Sequence, residues 1–485
     1  MDIERQLTFA LIIGNRGFFP AHLCETARTQ LLEVLTGSGY QVITLSPDQT
    51  AFGSVESLED ARKCADLFIQ HRPEIDGVIV SLPNFGDERA VANSIRWSEL
   101  DVPVLVQAYP DDQDKLAIND RRDAFCGKIS VCNNLHQYGI KYSLTDLHTV
   151  DPDSSAFRED LERFAGVCRV YRALKNLRVG VVGARPSAFN TVRYSEKILE
   201  REGISVEPID LSEIIHRAEA VADDDPDNLA KLDAINAYLP APETPQSSLL
   251  RMSKLGVALD RWVEAQELSA VAIQCWTALE EIYGVVPCTL MSMLSNTFLP
   301  SACETDIMGV ISMYALSIAS RQPSAIVDFN NNYGEDPDKC VVFHCSNLPK
   351  DLLVEGGENG TSGNGPVITF HDILSGALGK DHSWGIVAGV FQPGHYSYCR
   401  ISSDDFSGKL TAYLGQGSIT ADRPLTFGGY GVMEIADLQG LLRYICENGL
   451  EHHVSLAPGK VAPLLEEVFV KYRGWQVYHH QPLQA

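Results

Sequence analysis

Basic charge is scarce in this 485-residue chain: 39 lysines and arginines stand against 64 aspartates and glutamates, a formal net charge of -25. Nucleic acid and anionic membrane surfaces both need a basic face, so neither is expected as a partner. A small anionic substrate remains open, because a few loop arginines suffice to hold one. No apolar stretch approaches the roughly 20 residues of a membrane helix. The opening MDIERQLTFALIIG has acids before its apolar run and no signal-peptide cleavage pattern. A soluble, cytoplasmic protein is therefore expected. The 12 cysteines include no CxxC pair, and many lie in apolar runs, such as Cys132, Cys168, Cys275, Cys303 and Cys399. They read as reduced, buried thiols, and Cys340 and Cys345 beside His344 read as core rather than as zinc ligands. The run VGVVGARP misses the GxGxxG spacing of a dinucleotide site. No repeat occurs at solenoid spacing.

What the chain does have is alternation. Apolar strands at 9–14 (FALIIG), 40–45, 77–82 (GVIVSL) and 102–109 (VPVLVQAY) are separated by amphipathic helical stretches. That pattern means a parallel sheet covered on both faces. A second alternation starts at Leu177 with strands at 178–182 (RVGVV), 205–210 and 270–274 (AVAIQ). After Lys350 the pattern becomes period-two runs with Gly and Asp turns, at 367–370, 386–391, 396–401 and 409–414, which suggests an antiparallel sheet or small barrel. A Gly-rich stretch, EGGENGTSGNGP at 355–366, reads as a loop or domain link, and a helix is expected at 461–472. The fold class is thus α/β: two Rossmann-like, doubly wound domains (1–173 and 174–350), then a β-rich, barrel-like domain (351–485).

The stretch 300–347 organises the rest, reading as a loop, a buried helix and two strands that complete the second α/β unit. Glu304 opens the apolar helix, where the dipole favours an acid whatever its role. Asp328 ends the strand AIV at 325–327, where ligands of open sheets bind and where turn residues also occur. His344 lies in the following strand. Two carboxylates and a distant imidazole suit a divalent ion such as manganese better than a thiolate-preferring one. Such a site could chelate adjacent sugar oxygens and assist proton transfer between neighbouring carbons. The pair His452–His453, taken by itself, reads first as surface or capping residues.

These motifs resemble the L-fucose isomerase and L-arabinose isomerase superfamily, especially its fucose-isomerase-like branch. ACETDIMG at 302–309 resembles the turn whose first acid binds the metal, which falls on Glu304. AIVDFN at 325–330 resembles the strand with the second metal carboxylate, Asp328, and EHHVSLAPG at 451–459 the segment supplying the metal histidine, His453. VVFHCSN resembles the strand whose histidine, here His344, approaches the metal. AIQCWT, with Gln274 and Trp276, resembles the substrate-contact strand end. IGNRGFFP resembles the loop whose arginine, here Arg16, reaches the sugar of a neighbouring subunit. Phe85 matches the family's N-terminal aromatic loosely, and His452 is the other candidate near the sugar. The resemblance implies a Mn2+-dependent aldose–ketose isomerase acting on an open-chain monosaccharide through a cis-enediol. Glu304 and Asp328 would be its catalytic acids, and the chain would form a homo-oligomer, a hexamer or related, with shared sites. The implied sugar is fucose-like, a pentose, or anionic such as sulfoquinovose. Rival readings are a two-lobed sugar-binding protein, which would need an export signal, and a nicotinamide-dependent sugar oxidoreductase, which would need the glycine fingerprint.

Overall fold

The computed structural model describes residues 5–355 and 365–481, so most of the Gly-rich stretch expected as a link lies outside the described residues. The chain divides into two compact units. One comprises residues 2–172 with Lys471–Gly474, the other Ala173–Val470 with the segment from Trp475 onward.

In the first unit, strands β1 (Thr8–Ile13), β2 (Gln41–Ile43), β3 (Gly77–Leu82), β4 (Val104–Ala108) and β5 (Ser143–Leu144) form a parallel sheet in the order β2-β1-β3-β4-β5. β1 shows why the sheet is covered on both sides. Ala10 and Ile12 join a core with Phe68, Val91 and Val131, whereas Phe9, Leu11 and Ile13 join another with Leu31, Phe157 and Phe164. Successive side chains point to opposite faces, so a wholly apolar strand needs a helical layer on each.

The second unit begins with another parallel sheet, β6 (Leu177–Val182), β7 (Ile204–Ile209), β8 (Ala270–Ile273) and β9 (Ser301–Cys303), in the order β7-β6-β8-β9. The remaining strands are β10 (Ala325–Asn332), β11 (Lys339–His344), β12 (Val367–Phe370), β13 (Trp384–Val390), β14 (Gly394–Asp404), β15 (Lys409–Ile419), β16 (Gly429–Glu434), β17 (His453–Pro458) and β18 (Gln476–His480). They form one mixed sheet. Within it β16-β11-β10-β17-β14-β15 pair antiparallel in turn, and β15 pairs back onto β16, closing a barrel. The two Rossmann-like sheets and the barrel-like third part are as expected. Closure leaves those strands no free edge.

Two details differ from the expectation. Asp328 does not terminate a strand of the second parallel sheet; β10 runs on to Asn332 and is an antiparallel barrel strand, pairing His453 directly opposite Asp328. Apolarity alone does not distinguish a buried barrel strand from a parallel one. The helix expected at 461–472 is α-helical only over Ala462–Glu466 and loosens into a π-turn at Glu467–Tyr472.

Helix Ile307–Ser320 sits between the second parallel sheet and the barrel, contacting β8 and β9 on one side and β14 and β17 on the other. It is apolar all round because it is buried all round, from Ile307 to Ala319. Ser455 Oγ donates to Gly309 O at 3.0 Å, and Ile401 N donates to Ser312 Oγ at 2.8 Å, tying the helix to the barrel. Gly309 has no room for a side chain: a Cβ there would lie 2.4 Å from Asp306 Oδ2 and 2.5 Å from Ile326 Cδ1. Gly309→Ala should therefore lower stability by about 1–3 kcal/mol in urea unfolding, against the small gain alanine brings to an unconstrained helix. Gly376→Ala, whose Cβ meets nothing within 4 Å, is the control and should be neutral or stabilising; equal behaviour of the two would contradict the packing account.

Candidate active site at the helix–barrel junction

Glu304 occupies the turn between β9 and the buried helix. Glu304 and Thr305 both adopt left-handed backbone conformations, with φ of 62° and 55°. Such residues cost of order 1 kcal/mol each unless their surroundings impose them. Here Asp306 N donates to Cys303 O at 3.0 Å and Ile307 N to Thr305 O at 2.9 Å, closing the turn. The result brings Glu304 Oε2 to 3.4 Å from His453 Nε2. Asp328 Oδ1 lies 3.5 Å from the same nitrogen, across the β10–β17 pairing, and 3.4 Å from His452 Nε2. Residues separated by some 150 positions thus meet at one imidazole.

Burial decides the electrostatics. Glu304 is 4 % exposed and His453 1 %. Burial pushes the Glu304 carboxyl up to about 7, with His453 and His344 opposing the rise. Burial disfavours the charged imidazole of His453, but Asp306, Glu304 and Asp328 raise it overall. Glu304 Oε2 and Asp328 Oδ1 are buried oxygens with no hydrogen-bond donor. Unsatisfied buried carboxylate oxygens are costly. A divalent cation beside His453 Nε2 would offer such an oxygen the partner it lacks, and the oxygen-plus-imidazole donor set suits such an ion. Donor atoms of Glu304, His344 and His453 lie within 4.8 Å of one another, as do those of Asp328, His452 and His453. The cluster is open on one side, where the His452 side chain is 45 % exposed and Asp328 22 %.

The other expected residues fall into three places. His344 is in the cluster, with its ring 5.7 Å from that of His453 and its Nδ1 3.5 Å from Cys345 Sγ. Burial works against its charge, but Cys345, Asp328 and Glu304 together raise it to about 10. Gln274 and Trp276 follow β8, the neighbour of β9. Gln274 Oε1 accepts from Ala184 N at 2.8 Å, and the Trp276 ring packs edge-on to His371 at 5.2 Å. Arg16 and Phe85 belong to the first unit. There Arg16 stacks on Phe85 at 4.2 Å, donates to Gly86 O at 2.8 Å and pairs with Glu88. The cysteines are free thiols, nine of them buried.

Three residues of the site were not anticipated. Asp306 bonds His453 Nδ1 at 2.8 Å, Arg400 clamps Asp306, and Glu451 lies 3.4 Å from Arg400 Nε. An arginine inside the apolar run YSYCRI was the available signal, since arginine is almost never fully buried unless paired. A cleft of about 1230 Å3 opens alongside, lined by Arg185, Arg193, Thr305, Ser402 and Glu451 among others; Glu304, Asp328 and His453 are not among its lining residues. No helix among the described residues is long and apolar enough to cross a membrane.

Residues 10–175 match the N-terminal domain of the fucose/sulfoquinovose isomerases, and residues 342–480 match the C-terminal domain of L-fucose isomerase. The chain belongs to the L-fucose isomerase-like superfamily and is an aldose–ketose isomerase. It is 22 % identical to the sulfoquinovose isomerase of Priestia aryabhattai over 94 % of its length and 95 % of that protein's. It is 23 % identical to that of Alkalicoccus urumqiensis, over 81 % and 84 %.

The raised carboxyl of Glu304 makes a prediction of definite sign. A buried acid held at about 7, against 4.5 when free, binds more proton folded than unfolded between those values. Its ionisation therefore penalises the folded state increasingly from pH 4.5 to 7, reaching roughly 3 kcal/mol above pH 7. In metal-free protein, Glu304→Gln should raise the melting temperature at pH 8 and leave it nearly unchanged at pH 4.5. A variant less stable than the parent at pH 8 would contradict this electrostatic picture.

Proposed function

We propose that the chain is a divalent-metal-dependent, manganese-preferring isomerase of an open-chain anionic aldose of the sulfoquinovose type. The observation that carries the metal reading is the convergence of the two orphaned oxygens of Glu304 and Asp328 on His453 Nε2. The sugar class is supported by relatives named sulfoquinovose isomerase along nearly the whole chain. Glu304, Asp328 and His453 would hold the ion, with His344 beside them. A bound ion would supply positive charge that offsets the negative charge developing on the sugar oxygens.

The residues of the chain do the rest. Ligation to a cation lowers a carboxylate's basicity, so whichever of Glu304 and Asp328 moves a proton would be partly freed from the ion as it acts. In this reading one of the two carboxylates removes the proton from C2 of the aldose, giving the cis-enediol of the sugar, and a proton is returned at C1 to give the ketose. Buried Glu304 keeps bulk water from one side, while the side at Asp328 and His452 admits substrate. Gln274 and Trp276 contact the sugar beside the Glu304 turn. Arg16, with Phe85, reaches the sugar from a neighbouring copy in a homo-oligomer, hexameric or related, and the enzyme works in the cytoplasm.

A panel of aldoses incubated with Mn2+-loaded protein, and scored for ketose, tests the reading. Sulfoquinovose should be converted faster than fucose or arabinose, and reaction in deuterium oxide should place deuterium in the product at the exchanged carbon. No ketose from any aldose would refute the reading, and turnover without solvent exchange would replace the enediol by a hydride shift. Glu304→Gln should lower kcat by about 10²–10⁴-fold, the usual reach of a lost acid–base group; near-normal turnover by that variant would remove Glu304 from the mechanism.

A further inference from the structure

Asp306 takes no part in the reaction above, yet its carboxylate is filled to capacity. It is fully buried. Oδ2 accepts from Arg400 Nη1 at 2.5 Å and His453 Nδ1 at 2.8 Å, and Oδ1 accepts from Arg400 Nη2 at 3.1 Å and Gly309 N at 2.8 Å. A carboxylate offers about four acceptor positions, and here four donors occupy them. An ionised carboxylate can only accept, so His453 donates from Nδ1. That leaves the Nε2 side of the ring toward Glu304 and Asp328. Arg400 has no exposure either. Its Nε lies 3.4 Å from Glu451 Oε2, the oxygen to which Ser402 Oγ donates at 2.5 Å. Both Glu451 and Ser402 line the neighbouring cleft. A continuous set of contacts thus runs from the cleft wall through the guanidinium and Asp306 to the imidazole.

We propose that Asp306 and Arg400 are positioning residues, which hold His453 with Nδ1 protonated and Nε2 aimed at the Glu304 and Asp328 oxygens, and so set the cation affinity of the site. Glu451 anchors Arg400 from the cleft side. The inference rests on the metal-dependent reading given above. A histidine that binds a metal through one nitrogen is oriented by whatever holds the other, and loss of such a partner typically weakens metal binding 10–100-fold. Arg400 adds a planar, two-pronged clamp that lysine cannot reproduce.

The test is Mn2+ titration of chelator-stripped protein, followed by calorimetry and by the electron paramagnetic resonance of free Mn2+. Asp306→Asn keeps a helix-capping side chain. It also sets an amide N–H2 against the guanidinium whichever way the amide turns, and against the imidazole N–H or the Gly309 N–H besides, because one amide oxygen cannot serve all four donors. This variant should bind Mn2+ about 10–100-fold more weakly. At saturating Mn2+ its KM for the aldose should stay near the parent value while kcat falls. Should Asp306→Asn fail to fold, Arg400→Lys carries the test, since it preserves the charge but loses the fork; weakened Mn2+ binding is again expected. Glu451→Gln should show a smaller loss in the same direction. A variant with a lowered melting temperature but parental Mn2+ affinity would assign Asp306 and Arg400 to folding alone and overturn the proposal. Absence of Mn2+ uptake by the unaltered protein would overturn both the proposal and the metal-dependent reading beneath it.

Discussion

A buried ion pair holds the active region together. Arg400 and Asp306, each fully buried, meet in a two-pronged contact where the barrel strand β14 reaches the first turn of the central helix. Removing two charges from water is expensive, and mutual attraction repays it only when the remaining donors and acceptors are also satisfied. That condition is met at Asp306, whose oxygens also accept from Gly309 N and His453 Nδ1. Deleting one member of such a pair characteristically costs roughly 3–5 kcal/mol, because the other is stranded without water. The pair therefore joins three things at once: the helix cap, the closed barrel, and the orientation of the one imidazole that faces both Glu304 and Asp328.

The placement of the site follows from the same junction. A parallel sheet delivers Glu304 at the end of β9, and an antiparallel barrel delivers Asp328 and His453 on paired strands. Ser312 and Ser455 bond the buried helix to the barrel, and the same helix packs on β8 and β9 of the parallel sheet. Left-handed geometry at Glu304 and Thr305 is tolerated because the turn is braced by Cys303 O, by Ile273 O and by the cap at Asp306. Local strain at a binding turn, imposed by well-satisfied surroundings, is how a folded chain keeps an acid in an otherwise unfavourable environment.

Much of this was legible from the chain alone. The alternation of apolar strands and helices up to Lys350, followed by period-two runs, is enough to expect two covered parallel sheets and a β-rich closing part, although β10 and β11, read as completing the second α/β unit, belong to the barrel. Asp328 shows where such reading stops. AIV followed by a carboxylate is the same pattern in a parallel strand that ends and in a barrel strand that continues, and only the pairing with β17 decides between them. The candidates Glu304, Asp328, His344, His452 and His453 came from short motifs, and the structure sets Glu304 with His344, and Asp328 with His452, on His453. Asp306 lay inside the ACETDIMG motif with no role assigned to it, and in the structure it caps the buried helix by accepting from Gly309 N. Arg400 was visible as a charge in an apolar run, but its partner lies 94 residues away. Periodicity carries no information on contacts at that separation.

The proposed metal site has Glu304, Asp328 and His453 around one divalent ion. It is tested most directly by crystals grown with Mn2+ and measured at the manganese absorption edge. The account predicts one anomalous peak per chain, within about 2.4 Å of a carboxylate oxygen of Glu304 and of Asp328 and of Nε2 of His453. A peak elsewhere, or ligation through Nδ1 of His453, would contradict it.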